Sequence, residues 1–185
     1  MSSQDLPESA LQEYVLQSQD GDTDAFGKIY DHFFTAVYRY TSFRVPKEMA
    51  EDLVADIFVK AWEKIHTYKS QKKVPFSAWL FRIARHSVID AYRSQKHIAE
   101  VPEEVIDEDP LNQTADRVTR QHLVLTVRTA MKQLPDRYRE VLELSFMAEL
   151  PNNEVARVLR IREGATRTLK SRALKKLEQL LPVDV

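Results

Sequence analysis

The chain has 185 residues, of which 43% are hydrophobic and 30% charged, and its formal net charge is −1. This composition supports one large or two small domains with a buried core, which excludes global disorder. The sequence contains no cysteine, which excludes disulfides, thiolate zinc sites and thiol nucleophiles. No apolar run is long enough for a membrane span and the acidic start is no signal peptide, so we expect a cytoplasmic protein.

Helical periodicity runs through the first half of the chain. Gly21 breaks the first predicted helix, and Asp22 or Thr23 can cap the second. Pro46 ends the second helix, and a basic loop closed by Pro75 precedes the fourth. Helices are predicted over about 9–19, 24–43, 47–66 and 76–96.

The segment 98–116 carries seven acids and no base, has two prolines and lacks an apolar stripe. It therefore predicts an acidic linker between two domains. The sequence as a whole predicts an all-α fold of two small helical domains joined by this linker. Further helices are predicted over about 117–133, 136–147, 152–159 and 163–181. The predicted units are an acidic helical extension (1–23), a first domain (24–97), the linker (98–116) and a second domain (117–185).

Basic charge is concentrated in two blocks. Residues 60–97 contain nine bases and two acids, and residues 151–182 contain eight bases and three acids. Two basic blocks on either side of an acidic one favour two surfaces that face a polyanion, although solvated helix faces carry similar charge. The five histidines show no ligand spacing, and no phosphate-binding glycine motif occurs. We therefore predict no cofactor, no metal site and no enzyme active site.

Two short helices joined at Arg160–Arg162 have the spacing of a helix-turn-helix, whose second helix would enter a DNA major groove. A surface helical hairpin is the alternative interpretation. The positions that could contact bases or phosphates are Arg162, Gly164, Thr166, Arg167, Lys170, Ser171 and Lys175.

Three blocks of the sequence resemble the extracytoplasmic-function (group IV) sigma factors of bacterial RNA polymerase. AEDLVADIFVKAWEKI (50–65) is similar to region 2.2, and FSAWLFRIARHSVIDAYRSQKH (76–97) is similar to regions 2.3 and 2.4. LPDRYREVLELSFMAELPNNEVARVLRIREGATRTLKSRALKKL (134–177) is similar to region 4. Within that third block, Arg160 stands where a turn glycine is usual and Thr166 where an apolar residue is usual, so a strained turn and an atypical recognition helix are expected.

The resemblance implies a sigma factor that binds core RNA polymerase, through its clamp helices and flap, and directs initiation at promoter DNA. Region 4 would read the −35 element through the positions named above, and an anti-sigma factor is a further expected partner. The implied docking residues on the polymerase are Glu51, Asp52, Leu53, Asp56, Ile57 and Phe58. The implied −10 residues are Lys69, Ser70, Lys72, Lys73, Arg82, Arg85, His86, Asp90 and Arg93. Trp79 could stack on a base, but its neighbours favour core packing.

Two other functions remain open at this point. A stand-alone helix-turn-helix regulator would bind duplex DNA without polymerase, and a protein-interaction module would bind a partner without DNA. The acidic and apolar block at 50–58 argues against the first, because a simple regulator does not need it. The basic block at 69–96 argues against the second.

Overall fold

A computed structural model describes residues 6–69, 74–95 and 115–182, and within these ranges the protein is helical without strands. The predicted all-α class is confirmed. The helices are α1 (Glu8–Gln19), α2 (Thr23–Arg44), α3 (Lys47–Lys64), α4 (Phe76–Gln95), α5 (Ala115–Lys132), α6 (Asp136–Leu142), α7 (Asn152–Leu159) and α8 (Glu163–Glu178). The predicted linker lies largely outside the described residues. No described helix is long and apolar enough to cross a membrane.

Proline marks the start of five helices. A proline stands immediately before each of these helices: Pro7 before α1, Pro46 before α3, Pro75 before α4, Pro135 before α6 and Pro151 before α7. Proline lacks an N–H group and has a fixed φ angle, so it suits a position where the chain turns from extended to helical. In contrast, α2 begins at a side-chain cap, because Asp22 accepts hydrogen bonds from the backbone N–H groups of Asp24 and Ala25.

Helices α1 to α4 pack around one apolar core in the first half of the chain. Ile29 and Val37 of α2, Ile57 of α3 and Phe81 of α4 are completely buried. The acidic N-terminal segment belongs to this unit, since α1 buries its own apolar stripe there. The side chain of Gln19 fixes the end of α1 by donating hydrogen bonds to the carbonyls at the 3-10 turn that follows α3.

The second half packs α6, α7 and α8 around a smaller core that includes Leu144, Val155 and Ala173. The predicted helix over 136–147 is present, but its second part, Glu143–Met147, is a π-helical turn. The last helix ends at Glu178, slightly before the predicted end. The buried apolar side chains of the two halves join into one continuous cluster.

Candidate polymerase and nucleic-acid interfaces

Helix α3 has one exposed acidic face. The side chains of Glu51, Asp52 and Asp56 are exposed, and Asp52 and Asp56 lie one turn apart. The Nζ atom of Lys60 lies 3.8 Å from Oδ2 of Asp56, which partly neutralises one end of the face. This surface offers carboxylates to a basic partner.

The predicted apolar contact residues of α3 are not on that face. Leu53, Ile57 and Phe58 are buried, with Ile57 completely inaccessible to solvent. Their spacing places them on the stripe that packs against the rest of the bundle, so the structure puts them in the core and not beside the exposed carboxylates. The apolar side chain that the face does expose is Val59, which is 56% exposed and lies one turn beyond Asp56.

Helix α4 separates an apolar side from a basic side. Leu80, Phe81, Ala84 and Val88 point into the core, so the arginines that alternate with them lie on the other side of the helix. Trp79 is half-buried and packs against the rings of Phe76 and Tyr68, in agreement with the core position that the sequence favoured.

The basic side of α4 lies against the second half of the chain. The guanidinium group of Arg82 donates two hydrogen bonds to the carbonyl oxygen of Arg157 in α7, at 3.0 and 2.6 Å. Burial lowers the pKa of Arg82, and the nearby charges of Arg160 and Arg157 lower it further. Ser77 donates a short hydrogen bond to the side chain of Glu154, whose pKa is raised by burial.

The other predicted −10 residues are more dispersed. Lys69, His86, Asp90 and Arg93 are exposed, and Arg93 lies 4.0 Å from Asp90 on the same helix. The Nδ1 atom of His86 lies 2.7 Å from the carbonyl oxygen of Arg82. Three predicted residues lie outside the described part of the chain, namely Ser70, Lys72 and Lys73.

Helices α7 and α8 form the predicted helix-turn-helix. Arg160 ends α7 in the left-handed conformation, with φ 56° and ψ 43°, which is the strained turn expected where glycine is absent. Pro151 begins α7 without a side-chain cap. A concavity of about 360 Å³ lies between the two helices and includes Arg157 and Arg162 in its wall.

Most predicted −35 residues face solvent along α8, but Thr166 does not. Arg162, Gly164, Arg167, Ser171 and Lys175 are exposed, and Lys170 is half-buried with its Nζ atom 4.8 Å from the ring centre of Phe146. Thr166 is completely buried, and its hydroxyl donates a hydrogen bond to the carbonyl of Arg162. Thr166 occupies the inward position of the helix, so it is not among the side chains that α8 presents to solvent.

The structure adds two basic side chains of α8 that the sequence interpretation left out, Arg172 and Lys176. Both are exposed, and Arg172 lies next to Ser171 and one turn before Lys175 and Lys176. The basic periodicity of α8 could have revealed them. Among the described residues, no cluster of three or more histidine, cysteine or acidic side chains could hold a metal ion.

Comparisons with known proteins agree with this geometry. The family model for Sigma-70 region 2 matches residues 29–98, and that for Sigma-70, region 4 matches residues 125–177. The ECF RNA polymerase sigma factor BldN of Streptomyces coelicolor is 36% identical over 183 residues, which cover 97% of this chain and 69% of BldN. The chain is an ECF sigma factor. It is also similar to SigM of Bacillus subtilis, with 30% identity over 83% of this chain and 93% of SigM.

Two solved structures share the fold of this sigma factor. CnrH, in complex with the cytosolic domain of CnrY, has a TM-score of 0.72 and 27% identity, covering 95% of this chain and 99% of CnrH. RpoE of Bartonella quintana, in complex with the anti-sigma factor NepR, has a TM-score of 0.65 and 22% identity, covering 86% of this chain and 98% of RpoE.

In this sigma factor, three arginine–glutamate pairs join the first half to the short segment 140–149 of the second. Each pair places a base from α2 or α4 against an acid from α6, the π-helical turn or the residues just after it. The separations are 2.8 Å for Arg39–Glu149, 3.1 Å for Arg44–Glu143 and 2.8 Å for Arg85–Glu140. The first pair is exposed and contributes little, whereas the other two are shielded from water.

The most deeply buried of these pairs has imperfect geometry. The Nε atom of Arg44 lies 3.1 Å from Oε2 of Glu143, yet that oxygen has no hydrogen-bond partner of acceptable geometry among the described residues. Burial raises the pKa of Glu143 to about 7, because the attraction of Arg44 and Arg139 does not fully offset the loss of water. The carboxyl group of Glu143 therefore titrates near neutral pH.

Proposed function

We propose that this ECF sigma factor docks on core RNA polymerase through the acidic face of α3, reads the −10 element with α4 and reads the −35 element with α8. An ECF sigma factor directs promoter-specific initiation of transcription, and the two family models match the two halves in the required order. The single observation that supports the residue assignments most strongly is the outward row of cations on α8, at the end of a helix-turn-helix.

The proposed −35 surface combines base and phosphate contacts. Arg162 is the N-cap residue of α8 and Arg167 lies in its second turn, at the end of a recognition helix that reaches base edges in the major groove. Lys175 lies farther along the helix, where a phosphate contact is expected. Arg167 pairs with Glu163 in the free chain, which holds its guanidinium group near the start of the helix.

The proposed −10 surface is the basic side of α4. Arg82 and Arg85 lie one turn apart or less and would contact the backbone of a melted strand, while exposed Arg93 extends the track. Lys69 begins the loop that precedes the helix. The residues of that loop that the resemblance assigns to base capture, Ser70, Lys72 and Lys73, belong to the same proposal.

The proposed docking surface is the exposed face of α3 that carries Asp52, Asp56 and Val59. Two carboxylates beside an exposed apolar side chain suit a basic, partly apolar helical partner such as the polymerase clamp helices.

The second half of the chain would contact the flap of the polymerase. We also propose that the chain acts in the cytoplasm, has no catalytic activity of its own and is held by an anti-sigma factor. In the solved complexes RpoE is bound to the anti-sigma factor NepR, and CnrH is bound to the cytosolic domain of CnrY.

Transcription in vitro with bacterial core polymerase, on fragments of the genome that encodes the chain, tests this function. Transcripts that depend on the chain and start at discrete sites are expected, and their upstream sequences would give both promoter elements. Binding of duplex DNA without any complex with core polymerase would instead favour a stand-alone regulator. A complex with core that yields no transcript would favour an interaction module.

The docking surface has its own test. Asp52→Arg combined with Asp56→Arg reverses the charge of the exposed α3 face, so co-elution with core polymerase should be lost while helicity is retained. The matched control is Asp20→Arg with Asp31→Arg, which reverses two exposed acids elsewhere in the first half. Unchanged co-elution of the first variant, or equal loss in the control, would contradict the assignment.

A further inference from the structure

Two of the three arginines proposed to bind the −10 strand, Arg82 and Arg85, are already hydrogen-bonded to the second half in the free chain. Nε and Nη2 of Arg85 donate hydrogen bonds to the two carboxylate oxygens of Glu140, at 2.9 and 3.1 Å. Arg82 donates both of its hydrogen bonds to the carbonyl of Arg157. The second half of the chain therefore covers the basic side of α4.

The contact between Arg85 and Glu140 has the form of a phosphate contact. A guanidinium group binds a carboxylate and a phosphate in the same way, with two parallel N–H···O bonds to two oxygens of one anion. Glu140 is only 7% exposed and Arg85 is partly shielded, so this pair is much less screened than a surface ion pair. A DNA phosphate and Glu140 cannot use the same two N–H groups at once.

The two proposed DNA surfaces differ in this respect. On α8, Arg162, Arg167 and Lys175 are exposed to solvent, although α7 and α8 belong to the half that covers α4. These three cations of the −35 surface can therefore be approached in the closed chain. Arg85 of the −10 surface can be approached only after the halves move apart.

We propose that Glu140 takes the place of a DNA phosphate on Arg85, so that the closed chain withholds its −10 surface from single-stranded DNA while leaving its −35 surface accessible. The inference rests on the proposed −10 role of Arg82 and Arg85, and it names how that same surface is regulated. When the halves separate and DNA binds, a phosphate replaces Glu140 at Arg85. The charge of the arginine is therefore paired both in the closed chain and in the DNA complex.

The same logic extends to the other contacts between the halves. Arg82 binds a backbone carbonyl, a neutral acceptor that a phosphate can replace with a stronger charge-assisted bond. Arg39 and Glu149 form an exposed pair that water and salt already weaken. Among the described contacts between the halves, Glu140 is thus the acid whose removal frees an arginine of the proposed −10 surface, which makes it the residue to change.

The experiment measures binding of a short fluorescein-labelled single-stranded oligonucleotide of mixed sequence to the full-length chain, without polymerase. Glu140→Gln keeps the size of the side chain but removes its charge, so its affinity for the oligonucleotide should rise about tenfold. The matched control is Glu63→Gln, which removes one exposed carboxylate from α3 and changes the net charge equally. Its affinity should rise much less.

Opening is measured on the same proteins by energy transfer between two dyes. Because the chain has no cysteine of its own, Thr35→Cys on α2 and Glu178→Cys on α8 provide two labelling sites, both exposed. Transfer efficiency should fall in Glu140→Gln and stay at the parent value in Glu63→Gln. Unchanged transfer together with unchanged affinity would overturn the proposal.

A double variant shows whether the gain passes through Arg85. Arg85→Gln combined with Glu140→Gln should lose the tenfold gain, because the freed cation is no longer present. A gain that persists in this double variant would also overturn the proposal, since the effect would then be one of general charge. If Glu140→Gln does not fold, Arg85→Glu with Glu140→Arg restores the pair in reverse. High transfer in that variant supports the closed pair, and low transfer contradicts it.

The outcome is separable from that of the proposed function. The binding and energy-transfer measurements contain no core polymerase and no promoter, so failure of in vitro transcription leaves them interpretable. Conversely, a chain that initiates transcription normally but shows no response to Glu140→Gln would keep its proposed function and lose this inference.

Discussion

Two adjacent residues at the start of the recognition helix have opposite environments. Thr166 is completely buried and bonds only to its own helix, whereas Arg167 is exposed and pairs with Glu163. A side chain that is chemically able to contact DNA is therefore not necessarily a DNA contact at the start of this helix. What separates the two positions is the direction of each side chain relative to the core.

The first prediction follows from this difference. Thr166→Val should leave DNA affinity unchanged and alter the free energy of unfolding by less than about 1 kcal/mol, because the hydroxyl bonds a carbonyl that the backbone already satisfies. Arg167→Ala should cost about 1–3 kcal/mol of binding at the −35 element. Both are measured by titration of promoter and scrambled duplexes. Equal loss on the two duplexes would reduce Arg167 to a phosphate contact.

Arg160 supplies a second prediction at the residue scale. Its left-handed backbone is strained for a residue with a Cβ atom, so Arg160→Gly should raise the free energy of unfolding by about 0.5–1 kcal/mol. The control is Arg157→Gly, which removes the same charge from the interior of α7 and should destabilise by about 1 kcal/mol. Denaturant titration measures both. A loss of stability in Arg160→Gly would show that its side chain outweighs the backbone strain.

At the scale of the element, Gln19 holds α1 in the first half. Its amide nitrogen donates hydrogen bonds to the carbonyls of Ile65 and Tyr68, at 2.8 and 2.7 Å. Gln19→Ala should therefore lower the free energy of unfolding by about 1–3 kcal/mol and speed hydrogen exchange in α1. Gln17→Ala, which removes an exposed bond to Glu13 within the helix, is the control and should change little. Equal changes in stability and hydrogen exchange in the two variants would show that the hydrogen bonds of Gln19 do not hold α1 in the first half.

The helices themselves could be predicted from the sequence, but one irregular element could not. Apolar residues at three- and four-residue spacing, together with the prolines before the helices, predicted each helix of the described segments to within a few residues. The π-helical turn at Glu143–Met147 has no such signal, because an extra residue per turn does not change the apolar spacing enough to be read from the sequence. Packing within the first half placed Leu53, Ile57 and Phe58 inside, although their spacing also fitted a contact surface.

At the scale of the whole molecule, the buried carboxyl of Glu143 makes the free energy of unfolding depend on pH. Its pKa is raised from 4.5 in a model peptide to about 7, so the folded chain binds a proton more tightly than the unfolded chain does. The contribution of this group to stability is therefore greatest at low pH. It falls as the pH rises from about 4.5 to about 7, and it is constant above that range.

The expected result is a difference between two stability curves. Relative to Glu143→Gln, which cannot ionise, the parent chain should lose on the order of 3 kcal/mol of unfolding free energy between about pH 5 and pH 8. Denaturant titrations at several pH values measure it. Other carboxyls that titrate, such as the half-buried Glu154, are present in both chains and cancel. Parallel curves would mean that Arg44 keeps Glu143 ionised throughout.

The relation between the two halves could not be predicted from the sequence. Arg39 and Glu149 are 110 positions apart, and the sequence around either residue does not indicate that the two form a pair. The charge blocks predicted two polyanion-facing surfaces separated by an acidic linker. They gave no sign of Glu140, the acid that contacts Arg85, because it lies in a helical block of mixed charge.

The hydrogen bonds from Arg82 end on the backbone of α7, not on a side chain. A backbone acceptor is present whatever residue occupies position 157, so this contact does not restrict the amino acid there. The side chain at that position can therefore change during evolution without removing the acceptor that joins the two halves. The resting conformation places a demand on the path of the α7 backbone and none on the amino acid at position 157.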